Sequence, residues 1–304
     1  VLLYTHPACL AHDPGEGHPE SPARLRAVLD ALEDARFENL ARREAPRATH
    51  EQLARVHAQA LIDAVFAAAP RVGHAQLDAD TAMSPDSLEA ALRAAGAVCA
   101  AVDALIDGED THAFCAVRPP GHHATRDTAM GFCLFNNVAA GAAQALARGI
   151  ERVAIVDFDV HHGNGTQDIF WNEPRVLYAS THQSPLYPGT GARTETGAGN
   201  IVNVPLPPGA GSAEFRRAFT AAIAPALRDF RPQLVMISAG FDAHRLDPLA
   251  SLNLETDDYA WVTRELADIA RKHAAGRIVS SLEGGYSLTA LRESTGAHIA
   301  ELLR

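Results

Sequence analysis

Two stretches of the chain, Arg152–Asp159 and Leu234–Ala239, are almost unbroken runs of Val, Ile, Leu, Met and Ala with no apolar/polar alternation. A strand apolar on both faces must be covered on both faces, which is the habit of a parallel sheet flanked by helices. Shorter apolar runs at Val1–Thr5, Ala113–Arg118, Val176–Thr181 and Arg277–Leu282 read as further strands. Between them lie Ala/Leu-rich amphipathic stretches, read as helices over Pro22–Ala35, Glu51–Ala68, Ser87–Ile106, Asn137–Arg148, Ala213–Asp229, Asp257–Ala274 and Leu288–Leu303. Thr49 followed by Gln52 is a capping-box pattern, Pro22 follows Ser21 as a first-turn proline, and Gly108 and Gly149 stand where helix C-caps belong. The reading is a three-layer α/β fold. No repeat, low-complexity tract or linker divides the 304 residues, so one domain over residues 1–304 is expected.

Composition narrows the functional classes. The formal charge is -11 and no Lys/Arg-rich run occurs, which argues against a direct nucleic-acid binder. An acidic surface suits a cationic substrate, although solubility is the plainer reading. No apolar run reaches the roughly 18 residues of a membrane span. Cys9, Cys99, Cys115 and Cys133 form no C-x-x-C pair, so they read as free thiols in a reducing compartment, with a cytoplasmic location expected.

Four polar clusters follow predicted strands: Arg118-Pro119-Pro120-Gly121-His122-His123, Asp157 to Gly165, Ser238 to Asp242, and Glu283-Gly284-Gly285-Tyr286. In an open parallel sheet the carboxyl ends of strands meet in one ligand-binding crevice. Asp159 and His161 are one residue apart and, in extended chain, point to the same side. With Asp242 they offer two carboxylates and one imidazole, the three-ligand set of a catalytic zinc site that keeps a position open. The same donors accept Fe²⁺. His122 and His123, fixed by the Pro-Pro-Gly turn, suit proton transfer near neutral pH, and Asp157 and Asn164 are candidate partners that orient them. Tyr286, after two glycines, can donate a hydrogen bond to a polarised carbonyl. Taken singly, each cluster has a bland alternative, such as a polar strand end, two unrelated histidines or a packed loop tyrosine.

In order and spacing, these segments resemble the signature series of the histone deacetylase superfamily, and of its class II branch with the bacterial amidohydrolase-like members. Tyr187-Pro188-Gly189-Thr190-Gly191 and His18-Pro19-Glu20-Ser21-Pro22-Ala23-Arg24 extend the match over nearly the whole chain. The resemblance implies the arginase/deacetylase fold with a mainly parallel, eight-stranded sheet. It implies one catalytic Zn²⁺ on Asp159, His161 and Asp242, with His123 as general base and then acid. His122, paired with Asp157, would assist electrostatically, and Tyr286 would stabilise the tetrahedral oxyanion. It also implies K⁺ on the carbonyls of Asp157, Asp159 and His161 and the Ser180 hydroxyl, and a second K⁺ near Phe170 and Val176.

For substrate binding the resemblance implies a narrow acyl-lysine tunnel walled by Phe132, with Gly131 beside it, and by Tyr187 where the family usually has Phe. Leu249 stands where acetylpolyamine-selective members carry Glu. Asp80 matches a rim residue that holds the substrate backbone, or is a plain solvated loop acid. Arg24 matches a residue of an inner product channel, but without the resemblance reads as an exposed helix arginine. The expected substrates are an acylated lysine in a protein or peptide or, alternatively, a small acylated amine such as an acetylpolyamine. Hydroxamates are expected to inhibit, and loops and homo-oligomeric closure would set which amine enters. A non-catalytic binding module would have lost Tyr286, a metal ligand or the His pair. An arginase-like two-metal centre would need further Asp/His ligands that His162 and Asn164 do not evidently supply.

Overall fold

A computed structural model describes residues 1–304 as one α/β domain built on a single parallel sheet. In chain order the strands are β1 (Leu2–Thr5), β2 (Ala41–Glu44), β3 (Ala75–Gln76), β4 (Ala82–Met83), β5 (His112–Cys115), β6 (Val153–Asp157), β7 (Val176–Gln183), β8 (Ile201–Leu206), β9 (Leu234–Ala239) and β10 (Ile278–Leu282). Eight of them form the order β2-β1-β5-β10-β9-β6-β7-β8, all parallel, while β3 and β4 make a small antiparallel hairpin. The sheet is thus wholly parallel, and every residue of β6, β7, β9 and β10 is buried. Burial on both faces is what the unbroken apolar runs require. One cluster of 82 buried residues joins both helical layers through the sheet, so the molecule has a single core. No helix is long and apolar enough to cross a membrane.

Most helices lie where periodicity puts them, including Ser87–Ile106, Asn137–Ala147 and Thr256–His273. The Thr49 capping box forms with Gln52, and Gly108 and Gly149 adopt positive φ beyond their helix ends. Where the elements differ, the causes lie in specific bonds and residues. The expected helix Glu51–Ala68 is two, His50–Ala54 and Gln59–Ala68. The break is where Ala58 N donates to Arg126 O, and His57 bridges Thr125 O and Asn136 N, so tertiary bonds replace helical ones. The helix read over Ala213–Asp229 runs from Ser212 to Phe230 with a π-type turn at Phe219–Ile223, just before Pro225. A proline removes one backbone donor, and a widened turn accommodates that loss. Strand β5 ends at Cys115 and β6 at Asp157, earlier than the apolar runs suggest. Strands β2 and β8 were not anticipated. The first is an exposed Ala-Arg-Arg-Glu edge and the second carries Pro205, both of which suit the open sides of a sheet.

Two internal histidines are held neutral by the packing. His57 donates from Nδ1 to Thr125 O and accepts at Nε2 from Asn136 N, and burial pushes its pKa down to about 4. His298 lies among Phe114, Phe158 and Phe241, bonded to Thr263 and Ser280 hydroxyls, and burial lowers it to about 3. The unfolded chain takes up these protons near pH 6.5, whereas the folded chain refuses them until much lower pH. Stability contributed by these groups is therefore full above about pH 6.5 and is lost as pH falls toward 4, by up to about 1.4 kcal/mol per pH unit for each. Unfolding measured at pH 7 and pH 5 should show this slope, and His57→Gln should reduce it by about one such increment. An unchanged slope in that variant would show that His57 does not resist protonation in the fold.

Candidate active site

The four polar clusters follow β5, β10, β9 and β6, which are four adjacent strands at the middle of the sheet. Asp159 and His161 are not on extended chain. β6 stops at Asp157 and the backbone bends, with Asp159 N donating to Asp157 Oδ1 and His161 N to Asp159 Oδ1. Carboxylate-to-backbone turns, not strand pleat, bring the two side chains together. Asp242, after β9, completes the group, and one donor atom from each of the three lies within 4.8 Å of the others. His161 Nδ1 is 3.2 Å from both Asp159 Oδ1 and Asp242 Oδ2.

Two carboxylates and one imidazole, buried at one point, are a donor set for a dication. Burial pushes Asp242 up to about 7, helped by the charge of Asp159. Burial also opposes a charge on His161, but its bonds to Asp159 and Asp242 prevail and push it up to about 10. The carboxylates thus draw a proton to the spot where a metal would sit, and a metal would displace it. Space is kept for them by glycine. A Cβ on Gly284 would lie 2.1 Å from Asp242 Oδ2 and 2.6 Å from Asp159 Oδ2, and the Gly284 N–H donates to Asp159 Oδ2.

The adjacent histidines are oriented differently. His122 Nδ1 is 3.0 Å from Asp157 Oδ2, which also accepts from the Tyr178 hydroxyl. His123 Nδ1 donates to Asn164 Oδ1 at 2.7 Å. Burial opposes charge on both. The carboxylates of Asp159 and Asp157 nevertheless hold His122 well above its ordinary pKa, while cationic His122 and His161 press His123 well below. The pair therefore divides into one proton holder and one neutral imidazole.

A cavity of about 240 Å³ opens onto this centre. Its lining includes His123, His161 and Tyr286 together with five residues singled out in the sequence: Asp80, Gly131, Phe132, Tyr187 and Leu249. Leu186 was not anticipated as a wall. Gly131 and Phe132 both have positive φ, and a Cβ at Gly131 would come within 2.5 Å of the His123 ring. For Phe132 that backbone is strained, and it is held by Phe132 N donating to Thr81 Oγ1 and by paired Met130–Cys133 backbone bonds. Tyr187 is 39% exposed and packs edge-on to His123, with ring centres 5.2 Å apart.

Arg24 is fully buried, which corrects its reading as an exposed helix arginine, and it does not line the cavity. Its guanidinium pairs with Glu20, donates to Gly285 O and Glu283 O, and sits 4.8 Å from the Tyr286 ring centre. Glu20 is shared with Arg118, also fully buried, which the sequence reading gave no role. Asp247 was missed as well. One of its oxygens accepts from the N–H groups of Tyr286 and Ser287 and the other from Leu249 N. Ser180 faces Asp157 across β6 and β7, its Oγ 2.9 Å from His182 Nδ1. The carbonyls of Phe170 and Val176 converge, with that of Glu173, on the amide nitrogen of Asn200.

Residues 18–302 match the histone deacetylase domain. The chain belongs to the histone deacetylase family. It is 41% identical over 290 residues to a probable deacetylase of Archaeoglobus fulgidus, covering 93% of this chain and 80% of the relative. It is 43% identical over 280 residues to a histone deacetylase-like amidohydrolase of Pseudomonas aeruginosa, covering 89% of this chain and 73% of that one. The crystal structure of the HDA15 HD domain superposes with a TM-score of 0.95 at 38% identity, covering 99% of this chain and 87% of that one. The expected family and its parallel eight-stranded fold are therefore borne out, and the molecule is a deacetylase-type hydrolase.

Asp242→Ala should abolish stoichiometric metal binding, measured by metal analysis after dialysis. Gly284→Ala, which crowds both carboxylates without removing a ligand, should weaken metal affinity by roughly tenfold or more. Full metal content in the first variant would remove Asp242 from the ligand set.

Proposed function

We propose that this deacetylase-family chain is a zinc-dependent deacylase that cleaves the amide of an N-acyl-lysine side chain, releasing a carboxylic acid and the free amine. The observation that carries the reading is the buried Asp159–His161–Asp242 group at the end of a narrow cavity whose lining also holds His123 and Tyr286. A zinc ion bound by those three residues would supply Lewis acidity, activating water and polarising the acyl oxygen. The remaining work falls to the protein. Neutral His123, oriented by Asn164, takes the proton of the attacking water and returns it to the departing amine. His122, held cationic by Asp159 and Asp157, contributes positive charge beside the reacting centre. Tyr286 stays a neutral donor because burial holds its phenol well above the ordinary value, and it donates to the oxygen on which negative charge develops. Phe132 and Tyr187 confine the alkyl chain, and Gly131 lets it pass close to the backbone.

The preference for lysine over a small polyamine rests on Leu249, an apolar residue at the cavity where an acid would attract a second ammonium group. Asp80 lines the same cavity and would hold the substrate backbone at its rim. K⁺ at the Asp157, Asp159 and His161 carbonyls and the Ser180 hydroxyl is part of the proposal, as is a second near Phe170 and Val176, both on the resemblance alone. A cytoplasmic location accords with four buried free cysteines. Homo-oligomeric closure of the mouth is proposed on the resemblance alone.

The test is amine release from a fluorogenic acetyl-lysine peptide, alongside N-acetylputrescine and N8-acetylspermidine at equal concentration. Turnover of the peptide, abolished by a chelator and by a hydroxamate, is expected. Faster polyamine turnover would shift the assignment to the small amines, and turnover that survives the chelator would refute metal dependence. Tyr286→Phe should lower kcat by roughly 10² or more with zinc still bound, because a lost oxyanion donor costs about that much. Near-normal kcat in that variant would refute the assigned role.

A further inference from the structure

Glu283 follows β10, and its side chain is completely buried. Its carboxylate hydrogen-bonds to no metal-ligand side chain and to no imidazole. Its Oε2 instead accepts the backbone N–H of Gly121 at 2.7 Å and of His122 at 3.1 Å, and Oε1 lies 3.4 Å from the Ser238 hydroxyl. The carbonyl side of the same turn is held from another direction, His122 O accepting from Gly165 N and Thr166 N. The peptide that carries the two histidines is thus gripped on both edges. On the N–H edge, the acceptor for both groups is this one carboxylate oxygen.

The rest of the Glu283–Tyr286 segment reaches the other parts of the site. Glu283 O accepts from Arg24, Gly284 N donates to Asp159 Oδ2, and Tyr286 N donates to Asp247. A single strand end therefore fixes the distance between the oxyanion donor Tyr286, a metal ligand and the His122–His123 turn. A reacting group displaced by about 1 Å can cost about 10² in rate, so such a tie has catalytic weight without touching substrate.

We infer that Glu283 is a positioning residue, its carboxylate clamping the Gly121 and His122 amides so that both histidines keep register with Tyr286 and the metal ligands. The inference rests on the deacylase reading for its kinetic consequence, but not for the clamp itself. Gln at this position retains an oxygen able to accept both N–H groups and an amide able to donate to Ser238. Ala retains neither.

The experiment compares wild type, Glu283→Ala and Glu283→Gln for kcat and KM on the acetyl-lysine peptide, zinc content, and hydrogen exchange of segment 118–124. Glu283→Ala is expected to lose roughly 10² in kcat with KM changed by less than about threefold and zinc retained, and to exchange the Gly121 and His122 amides much faster. Glu283→Gln is expected to restore kcat to within about tenfold and to restore amide protection. Wild-type kcat in folded Glu283→Ala would overturn the inference. So would a folded, zinc-loaded Glu283→Gln that stays protected yet is as slow as the alanine variant, since charge and not position would then matter. Should the alanine variant not fold, Glu283→Gln decides by the same criteria. A wild type inactive on every acyl-lysine peptide would sink the deacylase reading, while the exchange comparison would still decide the clamp.

Discussion

The whole arrangement turns on burying carboxylates at the ends of the central strands. Asp157, Asp159, Asp242, Glu283 and Glu20 are all at most 1% exposed. An ionised carboxylate loses most of its hydration in such a place, and the loss is tolerable only with hydrogen-bonded or charged partners. Each has a different solution. Glu20 has two arginines, held well below its ordinary range despite its burial. Asp157 has His122 and the Tyr178 hydroxyl, and Glu283 has two backbone amides. Asp159 and Asp242 share the His161 imidazole and accept backbone N–H groups, Asp159 from His161 and Gly284 and Asp242 from Val160. A metal cation could take the place of the proton these two carboxylates draw to His161.

The two buried arginines show how the fold supports the site from behind. Arg118 reaches Cys9 O and His12 O, while Arg24 reaches Glu283 O and Gly285 O, and both converge on Glu20. The N-terminal segment is thereby locked to the strand ends that carry the histidines and Tyr286. Removing one partner of such a group leaves an uncompensated buried charge, a loss of about 3–5 kcal/mol. The network is therefore structural first, and it keeps the backbone under Tyr286 rigid.

How much could be read beforehand depended on whether a residue acts through its type or through backbone. The apolar runs of β9 and the helix Ser87–Ile106 were legible to the residue, because burial on both faces or along a stripe writes itself into composition. The edge strand Ala41–Glu44 was not, since exposed edges carry no apolar pattern. The helix break at His57 depends on bonds to Thr125 and Asn136, residues about seventy to eighty positions away. In the site, the metal ligands, histidines and Tyr286 stood out because their chemistry is specific. Glu283 and Asp247 did not, because a carboxylate that accepts backbone N–H groups has no required partner type. The only local signals were the i,i+4 spacing of Glu20 and Arg24 and the position of Glu283 directly before Gly284-Gly285-Tyr286.

The groups proposed for chemistry and those proposed for substrate choice are carried by different parts of the fold. The former follow the central strand ends directly, whereas Asp80, Phe132, Tyr187 and Leu249 sit on connecting loops. Loops vary at little expense to the core, so the mouth can be altered while the amide-cleaving centre is kept. Asp247 breaks this separation. Its carboxylate binds the Leu249 amide on the mouth loop with one oxygen and the Tyr286 and Ser287 amides with the other. A change that moves Leu249 to admit a different amine would therefore pull on Tyr286, the residue proposed to polarise the acyl carbonyl, and so couple the proposed specificity to rate through a single side chain.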